Sequence, residues 1–277
     1  MIIVEVNDSR IINNQHADGF VIGIQGNSSE CFHHFALDEA LSLVKQIKKL
    51  NKKVFIDLTS MYHEEDVESL QNIINQLNDA DGFLYHDFLV HSLVPKEKRV
   101  YYAPTYMTNK EDFDLMRIDS AYVLASPEVD FESLKRMASD QTWYLTFGTW
   151  EIFHSRRPLL TNYFKYRGIK DHKNQYTLKE EFRPTEEYHI VEASGTKIYL
   201  NDYYYLGSEI KDLKGHYFIK SFNLPYEVVD EVINTYYQAL QSGNFEEIKE
   251  GLEALGIKLH QTFLYQKVVL TKGEAYE

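Results

Sequence analysis

Short apolar runs separated by amphipathic stretches of helical length fill the first two thirds of this chain, and this alternation constrains the fold more than any single motif. IIVEV (2–6), FVIGIQG (20–26), VFIDL (54–58), GFLYHD (82–87), RVYYAP (99–104), AYVLAS (121–126) and TWYLTFG (142–148) read as buried strands. Between them, 36–50 repeats its apolar residues at helical spacing, and helices are expected near 65–77, 109–117 and 130–138. Strands alternating with helices predict a parallel sheet with the helices outside it. HYFIKSF (216–222) adds a late strand, so seven or eight strands favour a (β/α) TIM-like barrel, regular or irregular, over an open sheet.

The texture changes after Lys173. Residues 186–202 form two β-rich runs around Ala193, Ser194 and Gly195, the pattern of a hairpin inserted late in the barrel. Pro225 opens a helix through about Leu240, a second helix lies near 245–255, and TFLYQKVVL (262–270) reads as a final strand. The expected organisation is a barrel over 1–245 that includes the hairpin at about 176–202, with 246–277 as a small C-terminal appendage packed on it.

Composition removes several classes of function. No uninterrupted apolar run approaches the ~18 residues of a membrane span, and Met1 leads into a strand without an export signal, so a cytoplasmic protein with no membrane partner is expected. The formal charge of −13 opposes general affinity for phosphate backbones. One cysteine, Cys31, leaves no disulfide and no thiolate metal site, and no cofactor is expected.

In such a barrel, chemistry gathers where the strands end at their carboxyl side. Candidates there are His63 after VFIDL, Asp87 after GFLYH, Asn109 after VYYAP, Glu128 after YVLAS, and Glu151–Arg157 after YLTFG. Asp87 and Glu128 are either acid/base carboxylates or caps of the following helices. His63-Glu64-Glu65 opens like a zinc-protease helix but has Val67 where the second histidine belongs. His154 and Ser155 are sequence neighbours without a nucleophile elbow, which argues against a catalytic dyad. Arg156, Arg157, Lys165, Arg167, Lys170 and Lys173 accompany a single acid, Asp171, in an otherwise acidic chain. They form either an anion site, with Arg156, Arg157, Ser155 and Asn109 as ligands, or a solvated face.

The stretch FGTWEIFHSRRPLLTNYF (147–164) resembles the hallmark of peptidase family U32, the collagenase-like proteases, in a bacterial subgroup that lacks the motif's cysteines. Gly148, Phe153, Ser155, Arg156, Arg157, Leu159, Leu160, Asn162 and Tyr163 carry the resemblance, and Glu151 and Pro158 stand at the cysteine positions. Thr108-Asn109, Glu128, and Glu192 with Gly195-Thr196 match further landmarks, whereas Thr59 and Pro127 depart from them. The resemblance implies a TIM-like barrel and peptide hydrolysis, with His63, Asp87 and Glu128 as catalytic candidates and a peptide or small anion as ligand. Other members resemble tRNA-, ribosomal-RNA- or ubiquinone-precursor-hydroxylating enzymes with cysteine-ligated iron–sulfur clusters. That implies an alternative: a non-proteolytic subunit in uridine 5-hydroxylation of tRNA, beside a cysteine-bearing paralogue.

Overall fold

The computed structural model describes residues 1–265 apart from 103–106, 108, 194 and 223, and only the backbone of 183–186 and 262. Eight strands run parallel: Ile2–Glu5, Gly19–Ile24, Lys53–Asp57, Gly82–Tyr85, Arg99–Tyr102, Tyr122–Ala125, Thr142–Gly148 and His216–Ile219. Each pairs with the next, and the eighth pairs with both the seventh and the first, which closes the barrel. Each of these strands lies within or one residue beyond an apolar run of the sequence. Among the described residues, no helix is long and apolar enough to cross a membrane.

The strand period of two and the register decide what faces inward. Ile3 pairs with Phe218 and Gly19, Val21 with Phe55, and Phe55 with Gly82, so these residues share the interior. Phe55 of the third strand meets Trp143 of the seventh edge-on at 4.7 Å, and Trp143 reaches Phe218 at 6.0 Å. Rings from opposite walls touch only if they fill the lumen. Gly82 faces Phe55, and a Cβ there would come within 3.0 Å of that ring. The lower barrel is thus a packed aromatic core. Two residues further along the first, third, fifth and eighth strands, the same inward face turns polar, bringing in Glu5, Asp57, Tyr102 and Lys220.

The helices follow their periodicity. In Leu37–Lys49, Ala40, Leu43, Val44 and Ile47 are buried, and the Glu39 carboxylate accepts the Ala36 N–H at 3.0 Å. Tyr226–Ser242 begins after Pro225 and ends at Gly243, which takes the left-handed conformation that glycine best supplies.

Between the seventh and eighth strands the chain builds more than a hairpin. Strands Gln175–Glu180, Arg183–Glu192, Thr196–Leu200 and Glu151–Ser155 form one antiparallel sheet in that order. The sheet therefore begins at Glu151, directly after the seventh strand. The strand Gln175–Glu180 alternates Tyr176 and Leu178 with polar residues but is exposed along most of both faces, so it lacks the apolar run that marks the barrel strands. The strand expected over 262–270 is corrected in part: Thr262–Tyr265 is a 3-10 turn, and 266–270 lie outside the described residues. Buried Glu209 accepts hydrogen bonds from the Gln261 amide at 3.1 Å and the Tyr265 hydroxyl, which ties the segment down locally.

Gly148 ends the seventh strand at φ 151°, and a Cβ there would lie 2.6 Å from the Lys220 Cβ. Both the backbone conformation and the close approach demand glycine. Gly148→Ala is expected to destabilise the fold by about 1–3 kcal/mol, read as a lower urea midpoint at unchanged slope.

Candidate functional site at the carboxyl end of the barrel

The loop after the second strand is pinned from below. Asp57 accepts the N–H groups of Glu30 at 3.1 Å, Cys31 at 2.8 Å and Thr59 at 2.9 Å, while Ser28 Oγ accepts the Ile24 N–H at 2.6 Å and donates to the Asp57 carbonyl. Held this way, Glu30 places its carboxylate in the barrel mouth, only 4% exposed. Its Oε2 lies 3.0 Å from Lys220 Nζ and its Oε1 3.7 Å from Lys197 Nζ. Lys197 comes from the inserted sheet and also donates to Glu151 and to the Ser29 carbonyl. The result is a buried chain in which ammonium and carboxyl groups alternate: Lys220, Glu30, Lys197, Glu151.

A bulge aims Glu151. Lys197 pairs with His154, Ile198 with Phe153, and Tyr199 with Glu151, so Ile152 is an extra residue. Without it, residues 151 and 154 would face opposite sides. With it, Glu151 and His154 both join Lys197 and Tyr199 on the inner face, while Ile152 and Phe153 are left exposed. Behind this face, a cavity of about 50 Å³ is lined by Cys31, Phe32, His154, Gly195, Lys197 and Tyr199, among others.

Environment divides the acids. Burial works to raise the Glu30 pKa, but Lys197 and Lys220 outweigh it and hold Glu30 well below the usual carboxylate range. For Glu151, burial outweighs the nearby Lys197 ammonium and, aided by repulsion from Glu30, pushes it up to about 7, with His154 Nδ1 3.7 Å from its Oε1. Glu5 is also raised by burial, partly offset by Lys220 and by N–H donation from Phe32 and Phe222. Burial first, then the Lys197 charge, lower His154 to about 4, so its ring is neutral at physiological pH. A carboxyl poised near neutrality beside a permanent cation can exchange protons with a bound water or substrate.

The residues singled out from sequence fare unevenly. Arg156 Nη2 donates to His63 Nε2 at 2.6 Å, so an exposed bridge joins the inserted sheet to the loop after the third strand. Asp87 caps the helix Phe88–Leu93, accepting the Leu89 N–H at 2.8 Å and the Tyr62 N–H at 3.1 Å. Asn109 caps Lys110–Ile118, and Thr108 lies outside the described residues. Glu128 is half-buried after the sixth strand, and burial raises its pKa. Ser155 Oγ accepts the Arg157 N–H at 3.2 Å, and the exposed Arg157 guanidinium has no partner among the described residues. Glu192 and Thr196 hold the start of helix Leu159–Tyr166: the carboxylate accepts from Thr161, and Thr196 Oγ1 accepts the Leu159 N–H at 2.9 Å. Glu30, Lys197 and Lys220 escaped notice, although Glu5, Asp57 and Lys220 each interrupt an apolar strand run just where the mouth begins.

A closed eight-stranded (β/α) barrel, with a charged constellation at its carboxyl end and a sheet inserted after the seventh strand, defines the class. Within it, the chain belongs to peptidase family U32, whose model matches residues 5–263. Among solved structures it is similar to the U32 peptidase Mk0906, at 12% identity over 81% of this chain and 94% of that one, with a TM-score of 0.50; this likeness is one of fold. The spore cortex-lytic enzyme SleL of Bacillus cereus (7% identity, 94% and 75% coverage, TM-score 0.36) and YKL-39 in the presence of chitooligosaccharides (10%, 92% and 99%, 0.33) follow. No curated protein sequence matches the chain. A cysteine-ligated iron–sulfur cluster does not fit these residues, because the one thiol, Cys31, is buried with its pKa pushed up by burial and by Asp57. The described residues hold no cluster of three or more His, Cys, Asp or Glu side chains arranged to bind a metal ion.

The raised Glu151 carboxyl has a signature in stability. It keeps its proton in the folded chain up to about pH 7, whereas its ordinary value is 4.5. Across that window the folded state binds more protons than the unfolded one, so stability falls as pH rises. Glu151→Gln, which mimics the neutral form, is expected to flatten that fall when denaturant midpoints are compared between pH 4.5 and 7.

Proposed function

We propose that the protein is a peptide hydrolase whose general base is Glu151. The observation that carries this reading is a carboxyl held near pKa 7 at the barrel mouth, fixed by Lys197 and aimed by the bulge. Water hydrogen-bonded to Glu151 attacks the peptide carbonyl carbon, its proton passes to the Glu151 carboxylate, and the oxygen–carbon bond forms. The same proton then reaches the departing amine as the carbon–nitrogen bond breaks, giving an acid and an amine. Arg157 and Arg156, next to His63, supply guanidinium charge for the oxyanion or a substrate carboxylate. Glu128, raised by burial, is a second acid on the rim; Ser155 and Asn109 serve as polar neighbours of the substrate, and Asp87 acts through the loop it caps. Purified protein incubated with gelatin and with a random peptide library should cleave, with kcat/KM rising as pH passes about 7. Glu151→Gln should lower the rate about 10²–10⁴-fold, and complete absence of cleavage in the unaltered protein sinks the assignment.

A second reading has its own observation. Tyr163 and Tyr166 on helix Leu159–Tyr166 are 54% and 87% exposed, and they lie among Arg156, Arg157, Lys165 and Arg167. Exposed rings between cations suit stacking on unpaired bases, the property wanted of a non-proteolytic subunit in tRNA uridine 5-hydroxylation, with a cysteine-bearing paralogue supplying the cluster. Nucleoside analysis of tRNA from a deletion strain should then show 5-hydroxyuridine derivatives lost, and unchanged levels would count against it.

A further inference from the structure

The strand Glu151–Ser155 is an edge. Among the described residues its backbone is hydrogen-bonded on one side only, to Thr196–Leu200. The opposite edge of the same sheet, Gln175–Glu180, ends in charge: Lys179, paired with Glu187 at 2.7 Å, and Glu180. Charges of this kind blunt an edge against pairing. Along Glu151–Ser155 the outward side chains are instead Ile152 and Phe153, 46% and 42% exposed, while Glu151 and His154 turn inward.

Position adds to this. Just past the end of this strand, Arg156 reaches His63 in the loop after the third barrel strand, so the edge borders the barrel mouth. Glu151, at the start of the strand, abuts the same mouth. Beyond the bulge at Ile152, the unpaired edge of Phe153–Ser155 offers N–H and C=O groups in strand register, and only an extended main chain answers them in order. Apolar side chains at Ile152 and Phe153 ask for apolar residues on that chain, and the guanidinium of Arg157 asks for a carboxylate.

We infer that the edge strand Glu151–Ser155 receives an extended peptide as a fifth strand of the inserted sheet, with a carboxylate of the peptide at Arg157. The choice of a peptide as occupant rests on the hydrolase reading above. Strand addition lays the peptide main chain alongside Glu151, so selection is by extended conformation and alternate side chains, not by one deep pocket. Folded substrates are excluded until a segment of them unfolds.

The probe is a fluorescein-labelled peptide of alternating threonine and valine ending in two glutamates, together with its series of single backbone N-methylated analogues. Binding is read by anisotropy with the Glu151→Gln variant, and amide hydrogen exchange is followed in the unaltered protein. The expected result is two-residue alternation: N-methylation at every second position weakens binding about tenfold, the effect of one lost hydrogen bond, and the positions between are unaffected. Exchange at 151–155 slows on addition of the parent peptide. No binding, N-methyl effects without alternation, or unchanged exchange at 151–155 overturns the inference. So does exchange that slows with protein concentration alone, which would place a second copy on the edge. Alternation without any cleavage by the unaltered protein upholds the docking mode while removing the hydrolase reading, so the two failures are distinguishable.

Discussion

Glu30, clasped between the ammonium groups of Lys220 and Lys197, is the interaction on which the upper half of the molecule depends. Its three residues come from three places: the loop after the second strand, the end of the eighth strand and the inserted sheet. Each is positioned by something simpler. Asp57 fixes the Glu30 loop through backbone N–H groups, and Gly148, lacking a Cβ, lets the seventh strand pass close against Lys220. Lys197 is carried in by strand pairing. Burying an ion costs several kcal/mol unless geometry and further hydrogen bonds offset it. The alternating order of charge supplies that offset, and it fastens the inserted sheet to the barrel.

Much of the fold is legible in the chain because it rests on periodicity. The eight strands lie on short apolar runs, and the helices repeat at i, i+3 and i+4, so both signals survive without tertiary knowledge. The inserted sheet is less legible: EIFHS mixes charge with apolar residues around a bulge, and Gln175–Glu180 is a short, mostly exposed strand without an apolar run. The site was partly legible. Reading along strand ends finds His63, Arg156 and Glu128, yet Glu30 and Lys197 meet only through a loop and a sheet far apart in sequence. Lys220 stood in plain view inside FIKSF, where a lone charge in a buried strand needs a partner. Asp87 and Asn109 each cap the helix that follows, which is the second of the two roles that strand-end carboxylates and amides offer.

The family signature gains a physical meaning, residue by residue. Gly148 makes room for Lys220, Leu160 is buried at 7% exposure, and Glu192 with Thr196 holds the beginning of the helix that contains it. Ser155 braces the turn by accepting the Arg157 N–H. These are framing roles that fix the shape of the segment around Glu151 and Pro158. What the frame presents is Glu151 inward and Arg157 outward. The carboxyl at position 151 is an ionisable oxygen acid held beside Lys197.

The strongest case for chemistry at this mouth is that stability alone would not build it. Apolar side chains of similar volume are commonly as stabilising as a buried ion pair, or more so, and the lower barrel shows that this sequence packs aromatics well, as at Phe55, Trp143 and Phe218. The same inward-facing positions two residues further along hold Asp57 and Lys220 instead. One carboxyl in the group is driven down by two lysines, and another is left near neutrality by the same lysine and the same burial. Pairs of acids whose surroundings separate their pKa values are the usual arrangement for proton transfer. The barrel thus changes from packing to electrostatics at the level where its strands end, and Glu151 is a group in that layer whose protonation state is open to change at neutral pH.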